Sequence, residues 1–207
     1  MSNPHCRQAF LFSALLAVFA GAAPARAQFS LPGASAAVSS ASAPVPGQPC
    51  VMLFGQGRNF DPAQPAANRQ WDEANSAFNL AAREPLVAAG LPVVNVMLPV
   101  AATDVPANLQ GLLAEVRRLG CTRVLETAVF ADAAQGLLIA RLRVYPVLGV
   151  LGPQAPGSEP RIGAVAYTQQ KEFALDARVM ERVNPSRLGR AMAEEALPSF
   201  APAGARP

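Results

Sequence analysis

Residues 121–148, CTRVLETAVFADAAQGLLIARLRVYPVL, hold two apolar-rich arms on either side of the segment Ala131-Asp132-Ala133-Ala134-Gln135-Gly136. The first arm, 121–130, reads as a strand. The six-residue segment is short and turn-like enough to reverse the chain into a second strand over 137–148. In that second arm Leu138, Ala140, Leu142 and Val144 alternate with Ile139, Arg141, Arg143 and Tyr145. A period of two sends these sets to opposite faces, as in a sheet with one covered and one wetter side.

Upstream of the hairpin, Thr103-Asp104-Val105-Pro106 supplies a polar cap and an early proline, the opening of a helix. Its stripe is Leu109, Leu112, Leu113, Val116 and Leu119, with Arg117 and Arg118 in the last turn and Gly120 as the stop. Before it lies the apolar run Val93-Val94-Asn95-Val96-Met97-Leu98 between Pro92 and Pro99, a strand best placed at an edge because proline cannot donate a ladder bond. Earlier still, Trp71, Ala74, Phe78, Ala81, Pro85 and Leu86 recur at helical spacing over residues 67–89 up to Gly90, with Pro85 expected to kink or split the last turn. Cys50-Val51-Met52-Leu53-Phe54, ended by Gly55, reads as a short buried strand.

Downstream, Gly149, Gly152, Pro153, Pro156, Gly157 and Pro160 break any regular pattern, so a mobile loop is expected there. Residues 161–173 then return as a fifth strand, and Asn184-Pro185 opens a last helix carrying Leu188, Ala191, Met192 and Leu197, stopped by Pro198. Right-handed crossovers make the first three strands parallel, and the two hairpins add antiparallel strands beyond the third. The expected fold class is α/β: a mixed five-stranded sheet, β-α-β-α-β-β-β-α, with helices packed on it.

The N-terminal segment has a different character. Arg7 precedes an apolar run over 9–23, and Ala25-Arg26-Ala27 follows as a small-x-small site. Residues 1–27 therefore read as a signal peptide cleaved before Gln28, the run being shorter than the ~20 residues needed to span a bilayer. Neither Cys6 nor Cys50 is preceded by the small apolar residues of a lipoprotein signal. In residues 28–49, Ser, Ala, Pro and Gly fill 16 of 22 positions without a charge, the composition of a flexible tether. The organisation expected is signal peptide 1–27, tether 28–49, one α/β domain over 50–200 and a disordered tail 201–207.

Export changes the chemical inventory. The whole chain carries 17 basic and 14 acidic residues; cleavage removes Arg7 and Arg26 and leaves a net charge of +1. So weak a balance argues against a nucleic-acid partner, and nothing argues for stable membrane insertion. Cleavage also removes His5, the only histidine, and with it Ser-His-Asp or Cys-His catalysis and histidine-ligated zinc. Lys171 is the only lysine, so a Ser-Lys dyad has one possible base. No nucleotide, metal or nucleophile signature stands out, and no cofactor is expected.

The helix ending in Arg117-Arg118-Leu119-Gly120-Cys121, the strand over 123–130 and the meander through Tyr167 together resemble the small periplasmic α/β domains found at the N-terminus of TolB and in curli-secretion-type lipoproteins. The resemblance spans roughly 145 residues at the level of layout. It implies an assembly or interaction module, and it makes the strands that begin at Cys50 and Cys121 neighbours. As the two cysteines left in an oxidising compartment, Cys50 and Cys121 are expected to form a disulfide.

Several constellations have a chemical and a plain reading. Gly55-Gln56-Gly57 stands where a phosphate-cradling loop would, but Phe60 occupies the third glycine position and no Gly-Lys-Ser/Thr follows, so a simple turn is expected. Glu126 and Asp132 are the pair an envelope glycan hydrolase would use; the reading preferred is that Glu126 pairs across the hairpin with Arg141 or Arg143. Trp71 and Phe78 read as core. Arg141, Arg143 and Tyr145, joined by Tyr167 if the register allows and by Lys171 on the expected edge strand, form the candidate binding surface. The function expected is a non-catalytic periplasmic domain that binds an envelope protein or peptide. A small-ligand-binding module is the second reading, and a carboxylate-based hydrolase the third.

Overall fold

The computed structural model describes residues 50–149, 159–176 and 178–200. The expected signal peptide, tether and tail lie outside the described residues, as does most of the breaker-rich loop. The order is β1 (Cys50–Gln56), α1 (Pro65–Ala88), β2 (Val93–Leu98), α2 (Val105–Leu119), β3 (Cys121–Asp132), β4 (Leu137–Leu148), β5 (Arg161–Ile162), β6 (Tyr167–Ala174), α3 (Val179–Arg182) and α4 (Pro185–Ala196), with a 3₁₀ turn over Leu197–Phe200. The fold is α/β with a mixed open sheet. Its strands run β2-β1-β3-β4, and both β5 and β6 pair with the outer side of β4. β1 is parallel to β2 and β3, while β4 is antiparallel to β3, β5 and β6.

Local signals account for most element ends. The Asp104 carboxylate accepts from the Ala107 N–H at 3.0 Å to cap α2, and Gly120 at φ 70° ends it. The Asn184 side chain accepts from the Arg187 N–H at 3.0 Å to cap α4. Helix α1 runs through Pro85 without a break, because that proline lies within its last turn and the Ala89 N–H still bonds to the Pro85 carbonyl at 2.9 Å. The hairpin is tighter than expected: β3 continues to Asp132, leaving a turn over 133–136 closed by Gly136 at φ 65°.

The expected fifth strand is two strands. β5 pairs with Val147 and Leu148, β6 pairs with Leu137 through Val144, and the ladder is interrupted opposite Pro146. The Pro146 carbonyl accepts from the Gly163 N–H at 2.8 Å, on the side that faces β5 and β6, but proline has no N–H to return. The outer strand therefore breaks there. β2 and β6 are both edges, as the sequence suggested.

Helices cover the two faces unequally. On one, α1 and α4 bury Phe78, Leu86, Met192 and Ala193 against Val51, Leu53, Leu125, Val129, Leu138 and Leu142. Each fully buried large side chain of this kind stabilises by roughly 1.5–3 kcal/mol. On the other, α2 sets Leu112 and Val116 on Cys50, Met52, Phe54, Val124 and Val147. Its contact is narrower than its stripe suggests, and Leu109 is exposed. Cys50 and Cys121 lie opposite each other at the heads of β1 and β3, with their Cα atoms 4.2 Å apart, and form a disulfide.

Candidate functional site

Among the described residues, no helix packs on part of the α2 side of β3, β4 and β6. Cross-strand register sets out what that surface carries: Phe130 beside Ile139 and Glu172, Ala128 beside Arg141 and Gln170, Glu126 beside Arg143 and Thr168. Arg141, Arg143 and Tyr145 thus share one face, as their alternation in the sequence requires. Tyr167 and Lys171 do not join them. Tyr167 pairs with Val144 and Lys171 with Ala140, which places both on the opposite face. There Tyr167 packs on the core, and the Lys171 ammonium lies 3.7 Å from Glu195 of α4. The five expected binding residues are divided between the two sides of the sheet.

On the open face the charges gather around Glu126. The Tyr145 hydroxyl donates to Glu126 Oε2 at 2.9 Å, while Glu126 Oε1 lies 3.7 Å from Arg141 and 3.8 Å from Arg58. Arg58 comes from the loop after β1, so the cluster joins that loop to the β3–β4 hairpin. Both guanidinium groups lie over the Phe130 ring, with Cζ 4.8 Å (Arg58) and 5.1 Å (Arg141) from its centroid. Burial, and then the neighbouring Arg58 charge, lowers the Arg141 pKa; burial above all raises that of Tyr145. The Arg141 Nε is buried and has no hydrogen-bond partner among the described residues.

Both candidate carboxylates of this face accept hydrogen bonds within the fold. Asp132 spends its carboxylate on the hairpin, accepting from the Gln135 N–H at 3.1 Å. It stands six residues along an extended strand from Glu126, about 20 Å away, well beyond the spacing of paired glycosidase carboxylates. No group of three or more His, Cys, Asp or Glu side chains that could hold a metal occurs among the described residues. Gly55 and Gly57 are accounted for by packing: a Cβ on Gly57 would lie 2.5 Å from Val100 Cγ1, and its N–H already donates to the Leu98 carbonyl at 3.2 Å.

Arg58 and Phe130 are functional candidates that the sequence reading missed. Phe130 was within reach, being in phase with Glu126 and Ala128 on a strand of period two. Arg58 had no periodic signal, since a loop residue's neighbours are set by the fold. No helix among the described residues is long and apolar enough to cross a membrane. No known family model matches the chain, and no curated protein matches it.

Proposed function

We propose that this chain is a non-catalytic binding domain of the bacterial cell envelope, exported by residues 1–27 and held on the tether 28–49. Its partner, a protein or peptide, lies across the open side of β3, β4 and β6. The observation that carries this reading is the open face itself, where Arg58 and Arg141 lie over the Phe130 ring and Arg143 and Tyr145 flank Glu126. Arginine and tyrosine anchor interfaces because each joins apolar contact to directed hydrogen bonds. The disulfide supports an oxidising compartment, and the layout's resemblance to the TolB-type periplasmic domains supports an assembly role.

The test is periplasmic cross-linking with mass spectrometry on the native chain, on Arg143→Glu, and on Arg141→Glu/Arg143→Glu, with circular dichroism to establish folding. Loss of specific cross-linked species from the folded variants is expected. Their persistence moves the partner elsewhere on the domain.

A further inference from the structure

We infer that Arg58 and Arg141, stacked on Phe130, form a docking site for a carboxylate group of the partner polypeptide. The inference rests on the binding-domain reading and adds the chemistry that its open face recognises.

Arg141 is held deep in the surface, its side chain only 11% exposed, yet its donor capacity is not spent. Its ion pair to Glu126 measures 3.7 Å, longer than the roughly 2.7–2.9 Å of a charge-assisted hydrogen bond, and its buried Nε has no partner among the described residues. Glu126 is not free to close that gap, because the Tyr145 hydroxyl holds its other oxygen at 2.9 Å. A guanidinium so desolvated, with donors to spare, is suited to an incoming oxyanion. Arg58 sits on the same ring but is 42% exposed, so it can shift to share a ligand with Arg141.

Charge selects an anion, and a polypeptide partner supplies it as a carboxylate. Arg58, Arg141 and Arg143 outnumber Glu126 on this face, so positive charge is in excess there, and an acidic side chain of the partner offsets it. Shape agrees, since a planar guanidinium takes a planar carboxylate through two parallel hydrogen bonds. Stacking on Phe130 limits both arginines before the ligand arrives, which lowers the ordering cost of binding.

The experiment titrates the folded, disulfide-bonded chain with an acetylated, amidated tetraglutamate peptide, its tetraglutamine counterpart and inorganic phosphate, following the Arg141 Nε–H resonance by NMR. A saturable shift with the glutamate peptide alone is expected. Arg58→Gln and Arg141→Gln should each weaken it by about fivefold or more, and Arg117→Gln, on α2, should leave it unchanged. Arg58→Gln removes an exposed side chain and keeps the test valid if Arg141→Gln fails to fold. Absence of a saturable shift, unchanged affinity in Arg58→Gln, or tighter binding of phosphate than of the glutamate peptide overturns the site. If the peptide fails while Arg143→Glu still abolishes the partner cross-links, the carboxylate site falls and the binding-face reading stands.

Discussion

Asn75 of α1 pairs with Val129 of β3 as a neighbouring strand would. The Val129 N–H donates to Asn75 Oδ1 at 2.8 Å, and Asn75 Nδ2 donates to the Val129 carbonyl at 2.9 Å. β1 stops pairing with β3 at Thr127, so the backbone beyond it would otherwise be buried without partners. Asn59 repeats the device one pleat further on, with Ala131, through bonds of 2.8 and 2.9 Å. Two side-chain amides therefore extend the sheet where its first strand ends, beside the loop that delivers Arg58.

The two asparagines should differ in what their loss costs. Asn75 is 2% exposed, so Asn75→Ala strands a buried N–H and a buried C=O and should cost about 2–4 kcal/mol in denaturant unfolding. Ala131 is at a wetter position, where water replaces the Asn59 amide, so Asn59→Gly should cost less than about 1 kcal/mol. Asn59 also has φ 65°, a left-handed conformation that asparagine and glycine accept and β-branched residues resist. Asn59→Val should accordingly be less stable than Asn59→Gly.

The Cys50–Cys121 bond closes a loop with a sequence separation of 71. On the chain-entropy account, a loop of that length stabilises the fold by about 4 kcal/mol. The Cys50→Ser/Cys121→Ser chain should lose about that much in urea unfolding. A thiol assay on the native, unreduced protein should find neither cysteine free, and two free thiols would contradict the bond.

Tyr145 offers a readout of the polar cluster. Burial raises its pKa above 10.0, and the Glu126 carboxylate adds to the rise. The fold thus favours the neutral phenol. That contribution to stability is fully present below the unfolded pKa near 10 and is lost as pH rises through the higher folded value. The chain has two tyrosines, so Tyr167→Phe isolates Tyr145 in a tyrosinate absorbance titration. Adding Glu126→Gln should then move the titration to lower pH; an unchanged curve would mean that the carboxylate does not act on the phenol.

What the sequence could and could not disclose follows from the range of each interaction. The β3–β4 hairpin, the capped helix α2 and the two edges are written in local periodicity and in the placement of Asp104, Gly120 and Pro99, so they were legible. The break between β5 and β6 was not, because Pro146 lies on β4 and its effect falls on whatever strand the register sets opposite. Tyr167 shows the same limit: a shift of one residue exchanges the faces, and its pairing with Val144 puts it under α4 rather than beside Arg141. The partners of Asn59 and Asn75, and the meeting of Arg58 with Phe130, span 54 to 72 residues, and no local pattern announces them.

Two glycines inside helices should respond to alanine with opposite signs. Gly189 of α4 lies where α4 crosses α1, and a Cβ there would collide with the Phe78 carbonyl oxygen and sit only 3.0 Å from its carbon. These are backbone atoms of a buried helix, which cannot swing aside as the end of a side chain can. Gly189→Ala should push the helices apart and cost about 1–3 kcal/mol, more than the roughly 1 kcal/mol by which alanine favours a helix. Gly111, in α2, faces open space, with nothing within 4 Å of a Cβ. Gly111→Ala should therefore gain about 0.5–1 kcal/mol, the helical preference acting alone. Denaturant midpoints of the two single variants and the parent chain decide the matter. A Gly189→Ala chain as stable as the parent would show that α1 and α4 do not approach as closely as their shared contact at Phe78 requires.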